Sequence, residues 1–423
     1  MLNRAIQPTI NDITHISFVE PTIQVIGSDT TLYWMKNVLD ETVRIEFHFN
    51  AGTIRSKAKI AGFVNSLLFS GTNSKTSVQI NEELDSLGAF IDQEIGQETA
   101  IVSVYCLRRN INKVTEIVVD AIQNASFPQD EVEDLIREKR QQFLVGSEKV
   151  SMLARRKFQQ LLFANSEDYS RQITLEDYDN IHRDTLIEFH QEYYLKGLRK
   201  VIVVSKLEEE YIQELISKIS PWISKENPDF ENHFINIEGL IHVEKADAVQ
   251  TAIRIGMPLF NKTNPDFIDF QILQTILGDY FGSRLMSNIR EDKGYTYGIG
   301  TGVSESNHTG YFIIATEVGK EFVEPTLKEI QFEIDRLKNE EIPAEELSLV
   351  KNYLLGQLLK SADGPNAMLD LFMSVQLHSL DFAYFERVIQ RINSITAQEL
   401  QVIANKYLDW NKFTIVTAGS SNK

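Results

Sequence analysis

FPQDEVEDLIREKRQQFL (residues 127–144) and IPAEELSLVKNYLLGQLL (residues 342–359) are two versions of one phrase. Each sets an apolar residue before a proline, places acids in the turn that follows, and runs on as an amphipathic stretch. Proline suits a helix start because its φ is already fixed and it has no N–H to leave unpaired. Carboxylates in the first turn face the positive end of the helix dipole. The phrase therefore predicts two long helices, one over residues 129–147 and one running to Lys360. A phrase that opens a long helix at corresponding places in two halves marks a tandem repeat.

Outward from these openings the two halves read alike. Before Phe127 come a strand over Thr42–Phe49 with period-two alternation, a helix from Ile60, and a helix near residues 77–87. A strand pair through residues 90–107 and a helix over residues 112–124 complete the first copy. Before Ile342 come a strand at residues 250–256, helices at 266–277 and 283–291, strands at 296–303 and 309–316, and a helix at 323–338. The expected fold class is α+β with two repeated domains, residues 1–222 and 241–423, each an antiparallel sheet covered by helices. The linker over 223–240 joins them; the run Ser220-Pro221-Trp222-Ile223-Ser224-Lys225-Glu226-Asn227-Pro228-Asp229 is polar and carries two prolines. Gly294, Gly298, Gly300 and Gly302 lie in and beside a strand rather than at a strand-to-helix turn, so they make no phosphate cradle.

Composition narrows the function classes. The 423 residues are 43% hydrophobic, enough for more than one core, and the formal net charge of −18 repels nucleic acid and anionic membranes. Such a surface attracts basic peptides, or serves solubility alone. The single cysteine, Cys106, lies in the apolar run of residues 100–107 and reads as a buried structural thiol; one cysteine allows no internal disulfide. Residues 1–8 hold no apolar core of a leader, and no apolar run approaches eighteen residues, so the expected location is cytoplasmic.

The helix from Ile60 carries the most informative residues. Ile60, Phe63, Val64, Leu67 and Leu68 follow the spacing of a buried stripe, which places Gly62, Asn65 and Ser66 together on another face. These three are small and neutral. A mid-helix glycine costs about 1 kcal/mol relative to alanine, so Gly62 marks either a close approach of some group to that face or a tolerated glycine on a weakly packed helix. The eight histidines are His15, His48, His182, His190, His233, His242, His308 and His378, and no two are closer than the eight residues between His182 and His190. A zinc site of the helical kind needs imidazoles four apart with a carboxylate between them.

The segment Ala61-Gly62-Phe63-Val64-Asn65-Ser66-Leu67-Leu68-Phe69-Ser70-Gly71-Thr72 resembles the pitrilysin/insulinase metallopeptidases, in which HxxEH runs into an apolar pair, Phe, any residue, Gly and Thr. The resemblance extends over nearly the whole chain. It implies that Gly62, Asn65 and Ser66 stand where the family has its histidines and general base, and that Val145 stands where a later helix supplies the remaining glutamate ligand. It therefore implies no zinc or other cofactor in this chain.

The second half keeps what the first has lost. GSRLMSNIREDKGYTYG (residues 282–298) closely resembles the family's C-terminal signature, an arginine near a helix end and a tyrosine seven residues later on the next strand. Arg290 and Tyr297 fit it. In the family this pair reaches across the cleft toward the zinc, binds substrate and helps stabilise the oxyanion. A guanidinium and a phenol are fixed donors suited to developing negative charge. The family also binds an extended peptide by adding it to a sheet edge, and Phe90-Ile91-Asp92-Gln93 falls at that edge.

The resemblance thus implies a zinc-free, non-catalytic subunit of a clam-like dimeric peptidase, inactive alone. Its partner would be an HxxEH-bearing homologous subunit that holds the zinc, or a second copy of itself, and its ligand a peptide substrate. The rival is a structural scaffold of the same fold with no peptidase role. Retention of Arg290 and Tyr297 favours the first. No Ser/His/Asp arrangement supports an independent nucleophile.

Overall fold

The computed structural model describes residues 13–56, 59–223, 234–305 and 310–421. The first half runs β1 (Thr22–Val25), β2 (Thr31–Met35), β3 (Thr42–Phe49), α1 (Ile60–Leu67), α2 (Ser77–Ser86), β4 (Phe90–Ile95), β5 (Ala100–Leu107), α3 (Ile111–Gln123), α4 (Gln129–Ser147), α5 (Val150–Leu162), α6 (Glu167–Ser170), α7 (Arg183–Tyr193), β6 (Leu198–Val204) and α8 (Glu209–Ile219). The second runs β7 (Gly239–Glu244), β8 (Gln250–Pro258), α9 (Phe267–Gly278), a π-helix (Met286–Asp292), β9 (Thr296–Glu305), β10 (Gly310–Gly319), α10 (Val323–Asn339), α11 (Ala344–Ser361), α12 (Gly364–Gln376), α13 (Ala383–Ser394), α14 (Ala397–Tyr407) and β11 (Thr414–Gly419). Most of the expected linker, residues 224–233, lies outside the described residues, as do the N-terminal residues 1–12, His233 and His308.

The two quoted openings fold into equivalent helices. Pro128 and Pro343 both cap their helices rather than occupy the first helical position, with φ/ψ of −54°/138° and −56°/141°. Their carbonyls accept the first helical bonds, from Val132 and Leu347, at 3.0 Å each. Asp130 and Glu131 in α4, and Glu345 and Glu346 in α11, occupy the first turns, where the dipole favours them.

The sheets repeat the same way. The first has the order β1-β2-β6-β3-β5-β4 and the second β7-β11-β8-β10-β9. Without the extra edge strand β1 they are one topology. Both differ from a purely antiparallel sheet by one parallel pair, β2 with β6 and β7 with β11. The physical reason is connectivity: β6 and β11 close their halves after long helical excursions, and a crossover of that length lets the last strand enter beside the first in parallel. The period-two signal holds, β10 alternating buried and part-buried at every position.

By contacts the chain forms two compact units. One comprises Glu20–Leu259, Ser304–Val323 and the chain from Asn411; the other comprises Phe260–Val303, Glu324–Trp410 and the chain up to Val19. In the first unit, one core lies over the first sheet, where Phe47 and Phe49 meet Trp222 at 5.9 and 6.2 Å. A second core lies under α5, whose Ala154, Phe158, Leu161 and Leu162 pack with Ala252, Val416 and Ala418 of β8 and β11. Gly256 on β8 permits this: a Cβ there would stand 2.0 Å from the Phe312 carbonyl oxygen and 2.9 Å from the Phe158 ring. Among the described residues, no helix is long and apolar enough to cross a membrane.

The first sheet also buries a charged cluster. Glu46 on β3, 6% exposed, accepts hydrogen bonds from Arg44 at 2.7 Å and from Ser103 at 3.3 Å, and contacts His48 at 2.9 Å. Burial would raise its pKa, but the hydrogen bond with His48 and the charge of Arg44 outweigh it, so the carboxyl titrates below its ordinary value of 4.5. A depressed folded pKa contributes stability that is present above the unfolded value and lost as pH falls through the folded one. Glu46→Gln is therefore expected to lower unfolding free energy by about 2 kcal/mol at neutral pH. In urea melts the gap to the wild type should narrow as pH drops below 4.5; a gap independent of pH would refute the assignment.

Candidate functional site

Two places concentrate the residues singled out by the sequence, one in each compact unit. The first is α1. Its stripe packs as expected, with Phe63, Val64, Leu67 and Leu68 buried and Ile60 partly buried against the same core. The other face does not stay together. Ser66 is exposed and Gly62 half-buried, but Asn65 is 2% exposed.

Asn65 is fully engaged. Its Nδ2 donates to the Glu94 carbonyl at 3.1 Å, and its Oδ1 accepts from the Tyr194 hydroxyl at 2.9 Å. The Gln93 side chain donates to its backbone carbonyl. Burial drives the Tyr194 pKa well above the ordinary phenol value, so this hydroxyl stays a donor. Asn65 thus ties α1 to edge strand β4 and to the end of α7. The alternative of a close approach at Gly62 is not realised, since a Cβ there would meet nothing within 4 Å.

Val145, on α4, is 52% exposed. A glycine, an amide already held in hydrogen bonds, an exposed hydroxyl and an isopropyl group form no donor set for zinc. Among the described residues no group of three or more His, Cys, Asp and Glu side chains is placed to hold a metal. Cys106 is no alternative nucleophile, because burial pushes its thiol up to about 11.

Strand β4 lies at the edge of the first sheet, paired with β5 on one side. Phe90 is exposed and tilts against Tyr105 at 6.0 Å, Ile91 packs partly on the core, and the Asp92 carboxylate accepts from the Gln93 N–H at 3.0 Å. Gln93 reaches Asn65, so the candidate peptide edge and the altered motif are one connected structure.

The second place is the π-helix and the strand after it. Sequence spacing predicts an ordinary helix over residues 283–291; the structure winds Met286–Asp292 more widely, and the Lys293 N–H reaches the Asn288 carbonyl five residues back at 3.1 Å. Such insertions are uncommon and recur at functional sites. Gly294, at φ +65°, turns the chain into β9, and the Tyr295 N–H bonds the Ile289 carbonyl at 3.0 Å.

Two anchors that the sequence reading did not single out hold this segment. Arg284 makes a two-pronged contact with Glu346 of α11 at 2.8 Å for each prong, and Asn288 donates to Glu329 and Glu333 of α10 at 3.1 and 2.7 Å. Both lie inside the quoted 282–298 segment, which was the available signal. By contrast the tips of the segment are uncommitted. The Arg290 guanidinium lies 4.7 Å from the Phe281 ring centroid, and its Nη1 is buried without a hydrogen-bond partner. Tyr297 is 93% exposed on edge strand β9. An arginine on an aromatic platform with an unused donor, followed by a free phenol, is a constellation suited to an external acceptor.

Comparison with known proteins identifies the family and the fold. The profile of the insulinase family (peptidase family M16) matches residues 35–165, and that of the peptidase M16 inactive domain matches residues 180–354. The chain belongs to the pitrilysin/insulinase (M16) peptidase family, as a member without HxxEH.

An uncharacterized zinc protease of Rickettsia bellii is 25% identical over 71% of this chain and 73% of its own length. The mitochondrial-processing peptidase subunit beta of Neurospora crassa is 22% identical over 85% and 79%. A peptidase M16 inactive domain from Pseudomonas fluorescens superimposes with a TM-score of 0.85 at 21% identity, covering 95% of this chain and 99% of that one. A conserved protein from Enterococcus faecalis superimposes with a TM-score of 0.82 at 16% identity, covering 96% of this chain and 100% of that one.

Proposed function

We propose that this chain is the zinc-free, non-catalytic subunit of a cytoplasmic dimeric peptidase. It pairs with a homologous subunit that carries HxxEH and the zinc, binds the peptide substrate along β4, and supplies Arg290 and Tyr297 to the partner's active site. The observation that carries this reading is the contrast within one chain. At α1 the metal-ligating chemistry is replaced by a structural amide, while Arg290 keeps an unused buried donor on a braced π-helix. Arg284 also leaves its Nη1 unpaired, but its other two nitrogens are spent on Glu346, whereas Arg290 has no ion pair among the described residues. The backbone of an edge strand offers the main-chain hydrogen bonds an extended peptide needs.

Reconstitution tests the proposal: the chain alone is inactive on fluorogenic peptides, and mixing it with an HxxEH homologue from the same genome yields a dimer that cleaves them. A homologue equally active without this chain would replace the proposal with the scaffold reading. A separate expectation concerns metal. Elemental analysis after dialysis should find no stoichiometric zinc on this chain, and one zinc per chain would contradict the reading of Gly62, Asn65, Ser66 and Val145.

A further inference from the structure

Although the formal net charge is −18, five cations line one cavity beside α1. The cavity, about 590 Å³, falls within the size range of small-ligand sites. Its charged lining is Arg55, Lys59, Arg155, Arg156 and Arg171 against one carboxylate, Asp168. Three of the cations have partners: Arg55 donates to the Asn50 side chain, Arg156 to Ser147 at 3.1 Å, and Arg171 pairs with Glu167. Lys59 and Arg155 have no ion pair among the described residues.

The cations come from separate segments: Arg55 before α1, Lys59 at its start, Arg155 and Arg156 on α5, and Arg171 after α6. Folding brings like charges together here against their repulsion. Partial desolvation, then the charges of Arg156, Arg155 and Lys139, lower the Lys59 pKa from its ordinary value. Burial likewise lowers the Arg55 and Arg156 values. An anion entering the cavity would relieve all of these together.

The cavity also has a position relative to the candidate peptide edge. Ile95, the last residue of β4, and Gly96 and Gln97 beyond it are part of the lining. A strand laid along β4 would therefore bring one of its ends to the mouth of this pocket.

We infer that this pocket is an anion-binding subsite, taking a ligand with two or more carboxylate or phosphate groups and reading acidic residues at one end of a peptide bound along β4. The assignment to a peptide rests on the strand-addition reading above; the pocket's preference for anions stands without it. The substrate class is then opposite to what the overall charge suggests.

Calorimetric titration of the whole chain alone tests this, with no partner subunit and so independently of the complementation reading. The probes are a peptide ending in a run of glutamates, its glutamine counterpart, and citrate and tripolyphosphate as free anions. The glutamate peptide is expected to bind more tightly than the glutamine peptide, and more weakly as salt is raised. Lys59→Gln and Arg155→Gln should each weaken it about tenfold, Lys59→Arg should retain it, and Lys328→Gln, which removes the same charge at an exposed α10 site, should leave it unchanged. Citrate or tripolyphosphate binding with the same dependence on Lys59, and more tightly than the peptide, assigns the pocket to free small anions and overturns the peptide assignment alone. Equal affinity for the two peptides and no binding of either small anion overturns the subsite, as does any binding indifferent to both Lys59→Gln and Arg155→Gln.

Discussion

Arg290→Ala in this chain is expected to lower turnover of the reconstituted dimer about a hundredfold while leaving dimer formation and the stability of the subunit nearly unchanged. The magnitude is that of one lost donor to a developing oxyanion. The argument rests on what Arg290 does not do in the free chain. Its partner Phe281 is an aromatic platform that orients the guanidinium, and Nη1 has no acceptor, so truncation breaks no hydrogen bond among the described residues. Tyr297→Phe should behave similarly, because a phenol that is 93% exposed contributes little to stability. The loss should fall on kcat more than on KM, since the interaction strengthens as charge develops. By contrast Arg284→Ala should lower both activity and stability, because it removes the two-pronged anchor to Glu346. Full activity in both Arg290→Ala and Tyr297→Phe would remove the pair from the mechanism and leave the scaffold reading.

How far the sequence could be read follows from the range of the interactions involved. Thr42–Phe49 is legible because alternation is a property of neighbours, and the structure gives the strand the same bounds. The openings at Pro128 and Pro343 are legible because a helix start is a local event. The parallel pairs β2/β6 and β7/β11 are not, since the pairing of strands so far apart depends on how the helices between them pack. The π-helix escapes for a different reason: one extra residue in a turn hardly alters a hydrophobic pattern, yet it resets which residues point outward. At α1, periodicity places Asn65 off the apolar stripe, but its burial depends on Tyr194, 129 residues away. The cationic pocket is likewise invisible to net charge, because its members are drawn from separate segments that only folding brings together.

The fate of Asn65 gives the second large expected effect. Asn65→Leu should destabilise the chain by about 3 kcal/mol in denaturant melts, because it leaves the buried Tyr194 hydroxyl without its acceptor and removes the donor to the Glu94 carbonyl. Tyr194→Phe should cost less, and the double variant should fall short of the sum, the two residues sharing one interaction. Asn65→Glu, which restores the residue type the family uses as its base, is expected to be at least as damaging. A carboxylate can still accept from Tyr194, but it has no hydrogen for the Glu94 carbonyl, and its charge would be buried at a position 2% exposed. Adding Gly62→His and Ser66→His should therefore give a less stable chain rather than a working zinc site. If that triple variant folds with wild-type stability, Asn65 is not the structural joint described here. If it does not, the amide that replaced the base now holds β4 and α7 to α1, and a return to catalysis at this site would first have to rebuild that joint.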